Sequence, residues 1–380
     1  MALSPLFTEQ FWGWDIPCPY DEIIDVRSPS EFAEDHIPGA INLPVLEDTE
    51  RARVGTLYKQ VSTFEARKLG AALVSRNISR HLEEHFASKD KDYRPLVYCW
   101  RGGQRSCSMA AVLVQVGWRV TLVQGGYKTY RAHVRQQVQD LPAQFTYRVL
   151  AGATGTGKTQ VLKGLAQRGA QALDLEGLAQ HRGSLLGALW DIPQPSQKYF
   201  ESLLVEKFQQ FDPKETVWVE AESNKIGQVY IPQALWQKMQ QAQGFEIQMP
   251  LAQRIEHLIK EYPYLVTHPA VLKDKLQQLK SRYGKKQLEE WNRLIDTQQG
   301  ELFVGLLLEQ HYDPSYAHSF HRCYPHVQQT ASLLDTSIEQ IYTLIDKLLV
   351  PSVGISDESS ALSSAESTVG DSIHAPSRPH

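Results

Sequence analysis

Short apolar runs alternate with amphipathic stretches over most of the chain. "EIIDVRSPSEF" predicts a buried strand at Ile23 to Val26, a turn, and a helix opened by Pro29 and Ser30. "AINLP" predicts a second short strand, "RPLVYC" a third and "RVTLVQGG" a fourth, with a helix across "SCSMAAVLVQVG". Strands separated by helices predict a parallel sheet with flanking helices, a unit ending near Leu141 and Pro142. A second unit follows at once: "TYRVLAGATGTGKTQVLKGLAQRG" reads as strand, glycine-rich loop and amphipathic helix, and "QALDLEG" and "TVWVEAE" as further strands ending in carboxylates. From about Pro250 to Val350 the pattern is helical and polar. Residues 351–380, rich in Ser, Ala and Pro, show no period and predict a disordered tail. The expected division is therefore 1–140, 141–350 with its helical portion at about 250–350, and the tail.

Composition narrows the class. The 380 residues can bury a substantial core. No apolar stretch approaches the roughly 20 residues of a membrane span, and the N-terminus lacks the basic and apolar regions of a secretory signal. Cys18, Cys99, Cys107 and Cys323 form neither a disulfide framework nor a C-x-x-C metal site, so a reducing cytoplasm is expected and no metal ligand is assigned. Most of the net charge of −4 lies in the tail, where Asp357, Glu358, Glu366 and Asp371 oppose Arg378. The contrasting stretch is basic: Lys273, Lys275, Lys280, Arg282, Lys285 and Lys286, with Tyr283 and Trp291 nearby, could contact phosphates and stack bases. A solvated helix face explains it equally well.

Two loops carry candidate chemistry. Gly152, Gly155, Gly157, Lys158 and Thr159 lie in a G-x-x-x-x-G-K-T loop between strand and helix. Such a loop wraps backbone N–H groups round a diphosphate; Lys158 would reach terminal oxygens and Thr159 would hold Mg²⁺ if a metal is used. Asp174, Glu176, Glu220 and Glu222 stand at strand ends where a metal-orienting or basic group belongs, and His181 and Arg182 offer a second anion contact. In the other loop, "CWRGGQRS", Cys99 ends a strand. The N–H groups from Trp100 to Ser106, the next helix's positive end, and Arg101 and Arg105 would favour its thiolate. Gly102, Gly103, Gln104 and Ser106 complete the anion loop, whereas Cys107 reads as core. The spacing Cys99-x5-Arg105-Ser106 suits a cysteine-dependent phosphatase as well as a sulfurtransferase.

"DVRSPSEFAEDHIPGAINLP" and "VQGGYKTYR" resemble the entry and closing patterns of a rhodanese domain, and a tyrosine phosphatase usually has His where Tyr98 stands. With "GATGTGKT", "DLEGLAQHRGS", "QPSQKYFE" and "ESNKIG" following in order, the chain from Asp25 to Leu349 resembles the tRNA 2-selenouridine synthase family. The resemblance implies a rhodanese-like domain fused to a P-loop NTPase-like α/β domain. It also implies replacement of sulfur by selenium in wobble 2-thiouridine of tRNA. Selenophosphate and geranyl diphosphate would be substrates, with an S-geranyl intermediate. Cys99 would carry or deliver selenium, Arg101 to Ser106 would bind selenophosphate, and Gly152 to Thr159 would cradle the diphosphate, with or without Mg²⁺. tRNA is the implied partner, and a selenophosphate-producing enzyme is compatible with it. A cysteine-dependent phosphatase fused to an NTPase or kinase-like domain is the alternative. The tail matches nothing in the family pattern, and the sequence assigns no oligomeric state.

Overall fold

The computed structural model describes residues 20–189, 192–262 and 268–349, and the backbone of 7–9. Cys18 and the tail predicted at 351–380 lie outside the described residues. Two five-stranded parallel sheets form the frame. The first has the order β1 (Phe7–Glu9), β5 (Thr121–Val123), β4 (Pro95–Tyr98), β2 (Glu22–Asp25), β3 (Ile41–Asn42). The second has the order β12 (Gln329–Ser332), β11 (Gln243–Gln248), β6 (Tyr147–Ala151), β8 (Val217–Glu220), β7 (Gln171–Leu173), while β9 (Lys225–Ile226) and β10 (Val229–Tyr230) form a separate antiparallel pair. Strands β4 and β8 are buried throughout and read as apolar runs, β8 up to its terminal Glu220, as a parallel sheet covered on both faces requires.

Local signals place the first helices. Ser28 and Glu31 form a capping box, and Pro29 occupies the first turn of α1 (Pro29–Glu34). Helices α2 (Asp48–Gln60) and α3 (Thr63–Glu84) precede β4, α4 (Gln104–Val116) follows it, and α5 (Gly126–Asp140) follows β5. The "DVR" motif is structural: Arg27 and Asp25, 1% and 0% exposed, form an ion pair at 2.6 Å, with the guanidinium over the Tyr127 ring at 3.9 Å. The same guanidinium donates to the Asp35 carbonyl at 2.5 Å.

The units share one apolar cluster running from Ile23, Leu96 and Val123 through Tyr130 and Val134 of α5 to Phe200 and Leu204 of α8 (Gln197–Gln209) and Val149 and Val219 of the second sheet. At this joint the buried Asp35 carboxylate accepts hydrogen bonds from Tyr127 (2.7 Å) on one side and from Ser202 (2.8 Å) on the other. Burial pushes its pKa up while those two donors pull it down. Arg131 pairs with Glu201, and Lys198 with Glu34 at 2.5 Å.

Two features depart from the sequence reading. The C-terminal portion is largely helical, yet β11 and β12 join the second sheet, so that the helices between them form an excursion from it. Trp291 is fully buried with Leu276, Leu288 and Leu294 in a separate apolar cluster, which corrects the expectation that it could stack on a base.

Replacing Arg27 with Met leaves the Asp25 carboxylate buried and unpaired. The expected loss is about 3–5 kcal/mol of unfolding free energy, read from urea unfolding; an unchanged midpoint would show the pair to be dispensable.

Candidate active site

The first candidate centre lies at the end of β4. Cys99 is 3% exposed, and its Sγ accepts hydrogen bonds from the Gly103 N–H at 3.3 Å and the Ser106 hydroxyl at 3.2 Å. The expected nest of all N–H groups from Trp100 to Ser106 is thus reduced to one backbone donor and one hydroxyl among the described contacts. The reason is local: Gly102 turns the chain at φ +63°, and the helix begins already at Gln104. The loop is clamped from outside, because Tyr127 and Lys128 at the start of α5 donate to the carbonyls of Cys99 (2.8 Å) and Trp100 (3.0 Å). Gly126 allows this approach: at φ +60°, a Cβ there would stand 2.2 Å from the Cys99 carbonyl.

The arginines are placed differently from one another. Arg105 pairs with Glu31 at 2.7 Å, and Arg51 joins the same carboxylate at 2.9 Å. These two arginines hold the Glu31 carboxyl below its ordinary value despite its burial. Together with Ser30, Glu34 and Trp100 they line a cleft of about 540 Å³. Arg101 and Gln104 are exposed. Cys107 is half-buried against the core, its thiol pushed up by burial.

The second centre is a cleft of about 590 Å³ built on the loop between β6 and α6 (Lys158–Gln167). Gly152, Gly155 and Gly157 all have positive φ. Lys158 Nζ donates to the loop's own Gly152 carbonyl at 2.8 Å. Beyond α9 (Gln233–Gln241), Arg254 of α10 (Leu251–Glu261) braces the loop, donating to the Thr154 carbonyl at 2.9 Å while paired with Asp313 at 2.6 Å.

Parallel pairing of β7 with β8, Leu173 opposite Val219, brings the carboxylates together beside this loop. Glu176, Glu220 and Glu222 each present an oxygen within 4.8 Å of the others. The Thr159 hydroxyl lies 3.3 Å from Glu220 and 3.4 Å from Glu176. Asp174 is the N-cap of α7 (Leu175–Ala179), accepting from the Gly177 N–H at 2.7 Å. Burial, then mutual repulsion, raises Glu176 and Glu220 to about 8 and Glu222 to about 7, against the opposing pull of Lys158. Glu220 is 1% exposed, and its Oε1 has no hydrogen-bond partner. Carboxylate oxygens plus a threonine hydroxyl are hard donors that suit Mg²⁺, and an orphaned buried oxygen is what such an ion would satisfy. Spacing along the sequence could not show this triplet; only the strand pairing makes it.

The neighbouring loop closes the site. Gly183, at φ +65°, lies so close to Glu222 that a Cβ would stand 2.4 Å from its Oε2. Arg182 donates to the Glu261 carbonyl at 2.9 Å and covers the Tyr262 ring at 4.6 Å. His181 lines the same cleft, buried, its Nδ1 without a partner and its pKa lowered chiefly by burial.

The basic stretch stands apart from the lining of both clefts. Lys280, Arg282, Lys285 and Lys286 are exposed around a kink at Gly284. Lys273 pairs with Asp296 and Lys285 with Glu289, while Lys275 is half-buried.

Comparison with known proteins covers both centres. A family model described as "tRNA 2-selenouridine synthase AAA domain" matches residues 145–333, and one described as "Rhodanese-like domain" matches residues 15–133. A protein named tRNA 2-selenouridine synthase from Nitrosomonas europaea is 36% identical over 244 residues, 63% of each chain. Proteins of the same name from Bdellovibrio bacteriovorus and a Sulfurovum species are 32% and 33% identical; each alignment spans 79% of this chain and 89% of the relative.

The carboxylate triplet makes a signed prediction. As pH rises through 4.5 the unfolded chain releases protons that the folded chain keeps on Glu176, Glu220 and Glu222 until about pH 7 to 8. Their contribution to the ligand-free protein therefore declines as pH rises between those limits. Thermal unfolding at pH 5, 6, 7 and 8 should show a shallower decline for Glu220→Gln than for the native chain; identical slopes would contradict the crowding.

Proposed function

The chain belongs to the tRNA 2-selenouridine synthase family, and on that premise we propose that it exchanges sulfur for selenium in wobble 2-thiouridine of tRNA in two steps, one at each centre. Formation of 2-selenouridine in tRNA is the activity its relatives are named for. The observation that carries the finer reading is the pairing in one chain of a hydrogen-bonded thiol loop with a glycine loop walled by carboxylates.

In the first step the 2-thiouridine sulfur attacks C1 of geranyl diphosphate, the C–O bond breaks, and diphosphate leaves. The Gly152–Thr159 loop would hold that diphosphate. Lys158 exchanges its hold on the Gly152 carbonyl for phosphate oxygens. Three carboxylates crowded beside Lys158 would repel a diphosphate unless their charge is offset, so Thr159, Glu176, Glu220 and Glu222 are assigned to Mg²⁺. When bound, that ion supplies positive charge to the leaving diphosphate.

In the second step the selenophosphate selenium attacks C2, the C2–S bond breaks with the alkylated sulfur leaving as geranylthiol, and water cleaves the P–Se bond, releasing phosphate and leaving selenium on C2 without a change of oxidation state. Alkylation is what makes sulfur a competent leaving group. Cys99 serves delivery of the selenium. The selenophosphate oxygens compete with Glu31 for Arg105 and Arg51 at the mouth of the loop. The exposed Lys280, Arg282, Lys285 and Lys286 offer phosphate contacts for the tRNA.

The centres should separate genetically. Mass spectrometry of nucleosides from treated tRNA should show that Cys99→Ser still geranylates but loses selenium incorporation at least a hundredfold. Lys158→Ala should lose geranylation by a similar factor. Full selenium incorporation by Cys99→Ser would remove that residue from the chemistry, and undiminished geranylation by Lys158→Ala would remove the glycine loop.

A further inference from the structure

A narrow apolar cleft opens beside the glycine loop. Its walls are Leu186, Leu258 of α10, and Phe303, Val304, Leu307 and Leu308 from the helix Gly300–Leu307 and the turn after it. It shares Thr154, Ser184, Leu258, Tyr262 and Tyr312 with the larger cleft of about 590 Å³, so the two adjoin, and its own room of about 30 Å³ must widen to take a chain. Leu258 is the hinge between them: a Cβ on Gly155 would stand 2.9 Å from its Cγ, so loop backbone and apolar wall are in direct contact. The turn at Leu308–Tyr312 is a π-helical turn, a departure from α geometry that recurs at ligand sites.

The chemistry of the two compartments is opposed. One offers lysine, threonine hydroxyl and carboxylates, the other almost wholly aliphatic and aromatic carbon. A ligand filling both carries phosphates at one end and a hydrocarbon chain at the other. A nucleotide base would leave its ring nitrogens and amino group facing leucine and phenylalanine, at the cost of their hydrogen bonds to water.

We propose that this cleft is the chain subsite of the glycine loop and that Phe303, Val304 and Leu307 set which prenyl diphosphate the protein accepts. The assignment rests on the geranyl diphosphate reading above and adds the residues that choose the chain. Each buried methylene favours binding, so affinity rises from inorganic diphosphate to dimethylallyl to geranyl diphosphate. A group that fills the cleft reverses that order without touching the loop.

Isothermal titration calorimetry on the full chain with Mg²⁺ tests this, using inorganic, dimethylallyl, geranyl and farnesyl diphosphates and ATP. The native chain should bind geranyl diphosphate more than tenfold tighter than inorganic diphosphate, and tighter than ATP. Val304→Trp should lose at least tenfold for geranyl diphosphate while its affinity for inorganic diphosphate stays within twofold, which also reports an intact loop. Should that variant fail to fold, Phe303→Ala serves instead, and its preference should shift at least fivefold toward farnesyl diphosphate. If Val304→Trp keeps inorganic diphosphate and geranyl diphosphate alike, or Phe303→Ala leaves chain preference unmoved, the subsite is overturned while the geranylation reading stands. If the native chain binds ATP tighter than any prenyl diphosphate, or binds no prenyl diphosphate, both fall.

Discussion

Three carboxylates are crowded against Lys158 in a partly buried wall, and the second centre is organised around that crowding. Glu176, Glu220 and Glu222 are held together by strand pairing in the second sheet and by a glycine that leaves them room. In water such a cluster would relax apart; here the backbone forbids it, so the group keeps protons or takes a cation. An anionic ligand on the glycine loop and a cation on the carboxylates therefore favour each other's binding. The cost of crowding the three groups is offset only when the site is filled, which is how a site discriminates between its empty and loaded states.

The first centre depends on a different constraint, the close approach of two backbones. The start of α5 donates to the carbonyls of the Cys99 loop, and Gly126 makes the contact sterically possible. The same helix carries Tyr127, which reaches the buried Asp35, and Arg131, which reaches across to α8. Glu34, in the cleft at the mouth of the Cys99 loop, contacts Lys198 at the start of α8. The thiol loop is thus fixed by elements that also fix the joint between the two sheets. This suits the proposed exchange, in which one uridine visits both centres.

Local features were the legible ones. Both loops could be placed because strand, turn residues and helix follow one another within about twenty residues, and local pattern is what sequence displays. Strand β12, "QTAS", is a mostly exposed edge strand with no apolar alternation to announce it. Strand β11, "QGFEIQ", is half polar, with no apolar run to announce it. The convergence of Glu176 with Glu220 and Glu222 is a product of pairing between distant segments, invisible until the sheet order is known. Trp291 was misread because charge dominated its neighbourhood; its spacing from Leu288 and Leu294 is the helical period of a core face, and that outweighs the lysines. Around Cys99 the residue types were informative but the turn geometry was not, since a glycine at positive φ redirects the N–H groups a uniform nest would have supplied.

The ordering of the two steps is the centre of this account, and omission of substrates tests it most directly. The native protein is incubated with tRNA bearing 2-thiouridine and with geranyl diphosphate alone, selenophosphate alone, or both; the digested nucleosides are weighed by mass spectrometry. The account predicts the S-geranyl nucleoside from the first, unchanged 2-thiouridine from the second, and 2-selenouridine only when both are present. Appearance of 2-selenouridine with selenophosphate alone would contradict it.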